Sequence, residues 1–239
     1  MQQSSKQKVL SKLAGGLIVS CQAETPEPLA TPEILLAMAR SVVNGGAVAI
    51  RANLPRNIEI MHSQLNVPII GLFKKNYPDS AVFITPTMEE VKAVVAAGAE
   101  IIALDATFRP RPSGQRLEDI ITDIKKQWDI LTMADISTFE EGVHASRLGF
   151  DLIATTLSGY TDYTMEHARE GKPDFTLLYK LCTELDPGVP VIAEGRIWVP
   201  EDASRAIQLG AFAVVVGSAI TRPHLITSRF VKAIQKSDG

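Results

Sequence analysis

The stretch Ile69-Ile70-Gly71-Leu72-Phe73-Lys74-Lys75 passes through five residues without a polar side chain and then turns basic. A strand with one wet face alternates apolar and polar residues. A run without alternation belongs to a strand covered on both faces, as in a parallel sheet sheathed by helices. Runs of this kind recur on either side, at 16–20 and 47–51 before it and at 100–105, 130–135, 152–156, 191–194 and 213–217 after it, making eight in all. Longer segments with helical spacing separate them, which is the pattern of repeated βα units. Eight strands in 239 residues suit a closed barrel better than an open doubly wound sheet, which usually carries fewer. The fold class read from this pattern is α/β, a single-domain (β/α)8 TIM barrel over residues 13–239. A polar segment, 1–12, precedes it and is expected to be flexible.

The punctuation between the runs agrees. Gly46-Ala47, Gly98-Ala99, Gly149-Phe150 and Gly210-Ala211 each stand just before a strand, where a glycine closes a helix. Helix starts are marked by Thr31-Pro32, by Thr87 with Glu90, by Ser137 with Glu140 and by Pro200-Glu201. The apolar stretch 81–85 follows 69–73 without a helix between them and reads as an addition to the third loop.

Composition narrows the function classes. With 46% hydrophobic and 21% charged residues the chain can build a large core. A net charge of -3 without a Lys/Arg cluster leaves no electrostatic footprint for nucleic acid or an anionic membrane. No apolar run approaches the roughly 20 residues of a membrane span, and no secretory leader is evident, so the expected compartment is the cytoplasm. Cys21 and Cys182 sit in apolar surroundings without C-x-x-C spacing and read as reduced core residues.

Barrel active sites lie at the C-terminal ends of the strands. Here those ends carry Gln22, Arg51, Lys74-Lys75, Asp105, Asp135, Thr155-Thr156, Glu194-Gly195-Arg196 and Gly217-Ser218. The loops after the seventh and eighth strands often bind phosphate through backbone N–H groups, and Gly195, Gly217 and Ser218, with Arg196 and Arg222 nearby, suit that role. His62, His144, His167 and His224 are scattered, so no metal ion is called for. Glu89-Glu90 and Glu140-Glu141 lie in helical segments and read as solvated faces. Arg109-Pro110-Arg111-Pro112 is either an anion clamp or a stiff, solvated loop.

Lys74 and Glu194 supply the chemistry. A lysine in a partly desolvated barrel mouth can take a proton near neutrality, and a carboxylic acid beside it can return one. The pair suits proton abstraction next to a carbonyl, in isomerisation, epimerisation or a retro-aldol step. A Schiff base on the lysine is the rival use of the same residues.

Five segments then carry a resemblance: Gly71-Leu72-Phe73-Lys74-Lys75-Asn76-Tyr77, Phe83-Ile84-Thr85-Pro86-Thr87, Ala103-Leu104-Asp105-Ala106-Thr107, Met133-Ala134-Asp135-Ile136-Ser137 and Ala193-Glu194-Gly195-Arg196-Ile197. Together with the stretch from Thr155 to Thr161, they resemble, in order, the motifs of N-acetylmannosamine-6-phosphate 2-epimerases, over about 15–233 of the chain. The resemblance implies interconversion of N-acetylmannosamine 6-phosphate and N-acetylglucosamine 6-phosphate, without metal or cofactor. It implies Lys74 and Glu194 as the acid/base residues and Gln22, Arg51, Asp135 and Thr155 around the sugar. Gly195, Arg196, Gly217, Ser218 and Arg222 would hold the phosphate. It further implies a homodimer.

Overall fold

The structure, a computed structural model, describes residues 4–23, 26–169 and 171–236. Eight parallel strands close a barrel in chain order: β1 (Leu17–Cys21), β2 (Ala49–Asn53), β3 (Ile69–Leu72), β4 (Ile101–Asp105), β5 (Leu131–Asp135), β6 (Leu152–Ala154), β7 (Val191–Glu194) and β8 (Ala213–Val216), with β8 pairing back onto β1. Alternate residues of each strand serve two dry layers, and this is why the runs lack polar interruptions. In β3, Ile70 and Leu72 fill the barrel with Ile18, Ala103 and Met133, while Ile69 packs outward with Ile58 and Val91. Gly71 also faces outward. A Cβ there would come within 2.7 Å of Ala99 and 2.8 Å of Val94, so only glycine lets the helices approach this closely.

The outer layer is α2 (Pro32–Asn44), α3 (Pro55–Gln64), α4 (Met88–Ala96), α5 (Leu117–Gln127), α6 (Phe139–Leu148), α7 (Phe175–Glu184) and α8 (Pro200–Gln208). The four glycines expected to close helices all have positive φ. Thr31 caps α2, and Thr87 caps α4 in a reciprocal box with Glu90. The box expected from Ser137 and Glu140 falls one residue later, on Thr138 and Glu141.

The flexible segment expected at 1–12 falls partly outside the described residues, which begin at 4. In place of a flexible segment, Ser5–Leu13 form a helix, α1, capped by Ser4 and Gln7. Leu13 is fully buried, and Val9 and Leu10 pack with it beneath the barrel's N-terminal end, beside Val48 and Phe212. Three apolar residues in a polar stretch sufficed, because they share one helical face. At the other end α9 (Ser218–Thr221) leads into α10 (Pro223–Lys236), where Phe230, Val231 and Ile234 are exposed. Trp198, Pro200, Ala203 and Ile220 line an apolar groove of about 380 Å³ along α8, β8 and α9.

The third loop behaves as an addition. Lys74 pairs antiparallel with Ile84, and Thr85 N–H donates to the Phe73 carbonyl at 2.9 Å. The fold-back lowers Ile84 onto the inner core and gives the pocket above it an apolar floor.

Candidate active site

A pocket of about 440 Å³ opens at the C-terminal mouth of the barrel. Gln22 follows β1, Arg51 lies in the middle of β2, Lys74 follows β3, Thr156 follows β6, Glu194 ends β7, and Gly217 and Ser218 follow β8; all of them line it. Its centre is an ionic cluster. Arg51, 2% exposed, grips Asp135 with both arms of its guanidinium, at 3.0 and 2.5 Å, and lies 3.1 Å from Glu194 Oε2. Asp135 is fully buried behind Arg51 and does not itself reach the pocket lining. Thr156 Oγ1 stands 2.7 Å from Asp135 Oδ1 and 2.9 Å from Glu194 Oε2.

The electrostatics follow from that packing. Burial works against the charge on Arg51, but Asp135 and Glu194 outweigh it and hold the guanidinium above its ordinary pKa. Burial pushes the Glu194 carboxyl up to about 7, with Asp135 adding to the shift and Arg51, the Thr156 hydroxyl acting as a donor, and Lys74 opposing it. A carboxyl near 7 exists in both protonation states at neutrality, as a proton-transfer group requires. Lys74 faces it from the third strand, and its backbone N–H is fixed by Asn53 Oδ1 at 2.9 Å. Lys75 turns the other way, to Glu90 at 2.8 Å and Glu89 at 3.4 Å, because consecutive residues of an extended chain point to opposite sides.

One end of the pocket is built on α9. The first N–H groups of a helix have no intrahelical acceptor, and here they open beside Gly217 and Ser218. Arg222 reaches back over β1, donating to the Gln22 carbonyl at 3.0 Å and lying 3.3 Å from Glu27.

These positions coincide with a family pattern. The family model NanE, described as an N-acetylmannosamine-6-phosphate epimerase, matches residues 35–236. The chain belongs to the N-acetylmannosamine-6-phosphate epimerase family. A protein of Caldanaerobacter subterraneus subsp. tengcongensis named as an N-acetylmannosamine-6-phosphate 2-epimerase is 53% identical over 229 residues, 95% of this chain and 94% of that one. One of the same name from Listeria monocytogenes is 48% identical, covering 95% of each. A solved structure of the N-acetylmannosamine-6-phosphate 2-epimerase from Clostridium perfringens superposes with a TM-score of 0.91 at 45% identity, over 98% of this chain and 99% of that one.

Within this epimerase barrel, the residues read from the sequence fall into three groups. Gln22, Arg51, Lys74, Glu194, Gly195, Arg196, Gly217, Ser218 and Arg222 line the pocket, with Asp135 immediately behind. Thr155 does not: its hydroxyl accepts from the Glu194 N–H at 3.0 Å and donates to the Glu194 carbonyl at 2.9 Å, fastening β6 to β7. Its neighbour Thr156 occupies the pocket instead. Arg196 lines the rim, but its guanidinium donates to the carbonyls of Lys172 and Ser158 and lies against Tyr160, bracing the loop after β6. Thr156, named with Thr155 at its strand end but given no role there, and Tyr160 line the pocket, and both lie in the Thr155–Thr161 stretch quoted above.

Other polar residues prove structural. Glu90 and Glu141 are fully buried caps, not solvated faces: Glu141 accepts from the N–H groups of Ser137, Thr138 and Phe108 and from the Tyr163 hydroxyl. Arg111 is buried against the carbonyls of Pro86 and Asp105, and Arg109 pairs with Asp105 at 2.6 Å, so both arginines serve the protein's own groups, while Pro110 between them is exposed. Among the described residues no group of three or more His, Cys, Asp or Glu is placed to hold a metal ion, and no helix is long and apolar enough to cross a membrane.

Proposed function

We propose that this chain interconverts N-acetylmannosamine 6-phosphate and N-acetylglucosamine 6-phosphate, a step in the breakdown of sialic acid, by exchanging the proton at C2. In the open-chain sugar C2 adjoins the C1 aldehyde, so loss of its proton gives a planar enolate that can be reprotonated on either face. The observation that carries this reading is the placement of Lys74 and Glu194 on opposite walls, β3 and β7 of an eight-strand closed barrel, lining one pocket. Lys74 and Glu194 move the proton. Arg51, anchored by Asp135, and Gln22 orient the sugar, and the backbone from Gly217 to Ser218, with Gly195 and Arg222, receives the phosphate. Arg196 supports that end by holding the rim. A phosphorylated sugar crosses membranes poorly, which favours a cytoplasmic setting.

The test is incubation of the EDTA-treated protein with N-acetylmannosamine 6-phosphate in deuterated water, followed by NMR. N-acetylglucosamine 6-phosphate carrying deuterium at C2 is the expected product. Product without deuterium, or no product, overturns the mechanism or the substrate respectively. Borohydride trapping that labels Lys74 would favour the Schiff-base alternative.

The proposed assembly is a homodimer. Its support is the exposed apolar row of Phe230, Val231 and Ile234 on α10, together with the open apolar groove along α8, surfaces that a second copy would cover. Light scattering of the purified chain should give twice the monomer mass, and Phe230→Glu should lower it.

A further inference from the structure

Thr156 belongs to no role assigned above, yet its hydroxyl touches both carboxylates of the buried cluster, Asp135 Oδ1 at 2.7 Å and Glu194 Oε2 at 2.9 Å. A hydroxyl has one hydrogen to give and lone pairs to accept with. Two ionised carboxylates on one hydroxyl therefore leave one oxygen facing another without a proton between them. Asp135 holds the stronger claim on that hydrogen, because it is the shorter contact. The other charges around Glu194 do not remove the shortage. Arg51, on β2, gives Nη1 to Asp135 Oδ1 at 3.0 Å and stands with the same nitrogen 3.1 Å from Glu194 Oε2, while Nη2 goes to Asp135 Oδ2; none of these hydrogens lies between Thr156 Oγ1 and a carboxylate oxygen. Lys74, after β3, acts on Glu194 through its charge.

We propose that Thr156 is a positioning residue that provides the acceptor for the proton of Glu194: the acid donates to Oγ1, and Oγ1 donates to Asp135. In this arrangement both oxygen–oxygen contacts contain a hydrogen. When Glu194 hands its proton to substrate, one contact loses its hydrogen, and the cluster draws a proton back, either the one that Lys74 has taken from C2 or one exchanged for it from water. Thr156 thus returns Glu194 to its acid form between turnovers. Taken only as a donor to Glu194, the hydroxyl works to lower the carboxyl's pKa; with Asp135 at 2.7 Å holding its hydrogen, it is left to accept from Glu194, and that preference reverses.

The inference rests on Glu194 being the proton carrier of the proposed reaction, so its test needs a readout that does not depend on turnover. In protein labelled with carbon-13 at the glutamate carboxyl, the Glu194 signal is the one lost in Glu194→Gln, and its titration midpoint in the wild type is expected near 7. Thr156→Val, of the same shape without the hydroxyl, should lower that midpoint by about one pH unit, the scale of one hydrogen bond. Thr156→Ala should do the same with less bulk, and Thr156→Ser should restore the wild-type value. The pH midpoint of C2 proton exchange should shift with the titration. A midpoint in the Val and Ala variants that stays in place or rises, or a Ser variant that fails to restore it, overturns the proposal. If the titration behaves as expected while the wild type exchanges no proton of the sugar, the role of Thr156 stands and the substrate assignment falls.

Discussion

Glu90 and Glu194 are both carboxylates sunk beneath the mouth of the same barrel, and they are held in opposite states. Glu90 accepts from the N–H and hydroxyl of Thr87, from Lys75 at 2.8 Å and from the Tyr77 hydroxyl at 2.9 Å. Burial works to raise its pKa, but these donors outweigh it and leave the carboxyl lowered. Glu194 shares Arg51 and one hydroxyl with Asp135, and there burial prevails, pushing it up to about 7. Burial bears on both. The supply of donors that need not be shared decides whether a buried glutamate fastens a loop or carries a proton.

The largest effect that would break this contrast lies in catalysis. Glu194→Gln and Lys74→Ala should each slow C2 exchange by roughly 100- to 10,000-fold, measured by NMR in deuterated water, whereas Glu90→Gln should leave the rate close to wild type. Loss of exchange in a stably folded Glu90→Gln would show that the two carboxylates are not functionally separate.

Next in size is the ionic centre. Arg51→Leu strands two carboxylates that share a single cation, and it should destabilise the fold by about 3–5 kcal/mol in urea titrations near neutral pH. An unchanged midpoint would mean that Asp135 and Glu194 find other partners. Glu90→Gln should cost less, about 1–3 kcal/mol, because Gln keeps one acceptor oxygen, for either the Thr87 cap or the Lys75–Tyr77 pair, which bind different oxygens of the glutamate.

The most discriminating effect is one of sign. A carboxyl whose folded pKa is lowered, as in Glu90, binds fewer protons folded than unfolded. Its stabilisation is present above the unfolded pKa of about 4.3 and is lost as pH falls through the lower folded value. Glu194 does the reverse: folded, it keeps a proton that the unfolded chain releases, so its contribution weakens as pH rises from about 4.3 to 7. Urea titrations across that range should therefore find Glu194→Gln gaining on the wild type with rising pH, while Glu90→Gln does not.

Much of this was legible before any coordinates. Continuous apolarity, glycine stops and threonine caps are local signals, and they located all eight strands, the third-loop addition and the polar ends that meet at the mouth. Nine of the eleven residues named for the site line the pocket and Asp135 lies directly behind it. The misreadings were one-residue choices or buried polar groups. The sequence names Thr155 where Thr156 lines the pocket, and Ser137 with Glu140 where the cap forms on Thr138 with Glu141. Glu90 and Arg111 carry full charges in exposed-looking company, yet their partners come from Tyr77 and Lys75 or from the carbonyls at 85–86, segments apart in the chain.

The sequence alone determined the barrel, its order and the set of side chains that could gather at one end, because dry strands and helix caps are written in neighbouring residues. Only the tertiary structure decided which member of each adjacent pair faces the pocket, and that Glu194 and Asp135 compete for one hydroxyl. At a strand end, side-chain direction reverses with every residue, and hydrogen-bond supply is summed over strands that are distant in sequence.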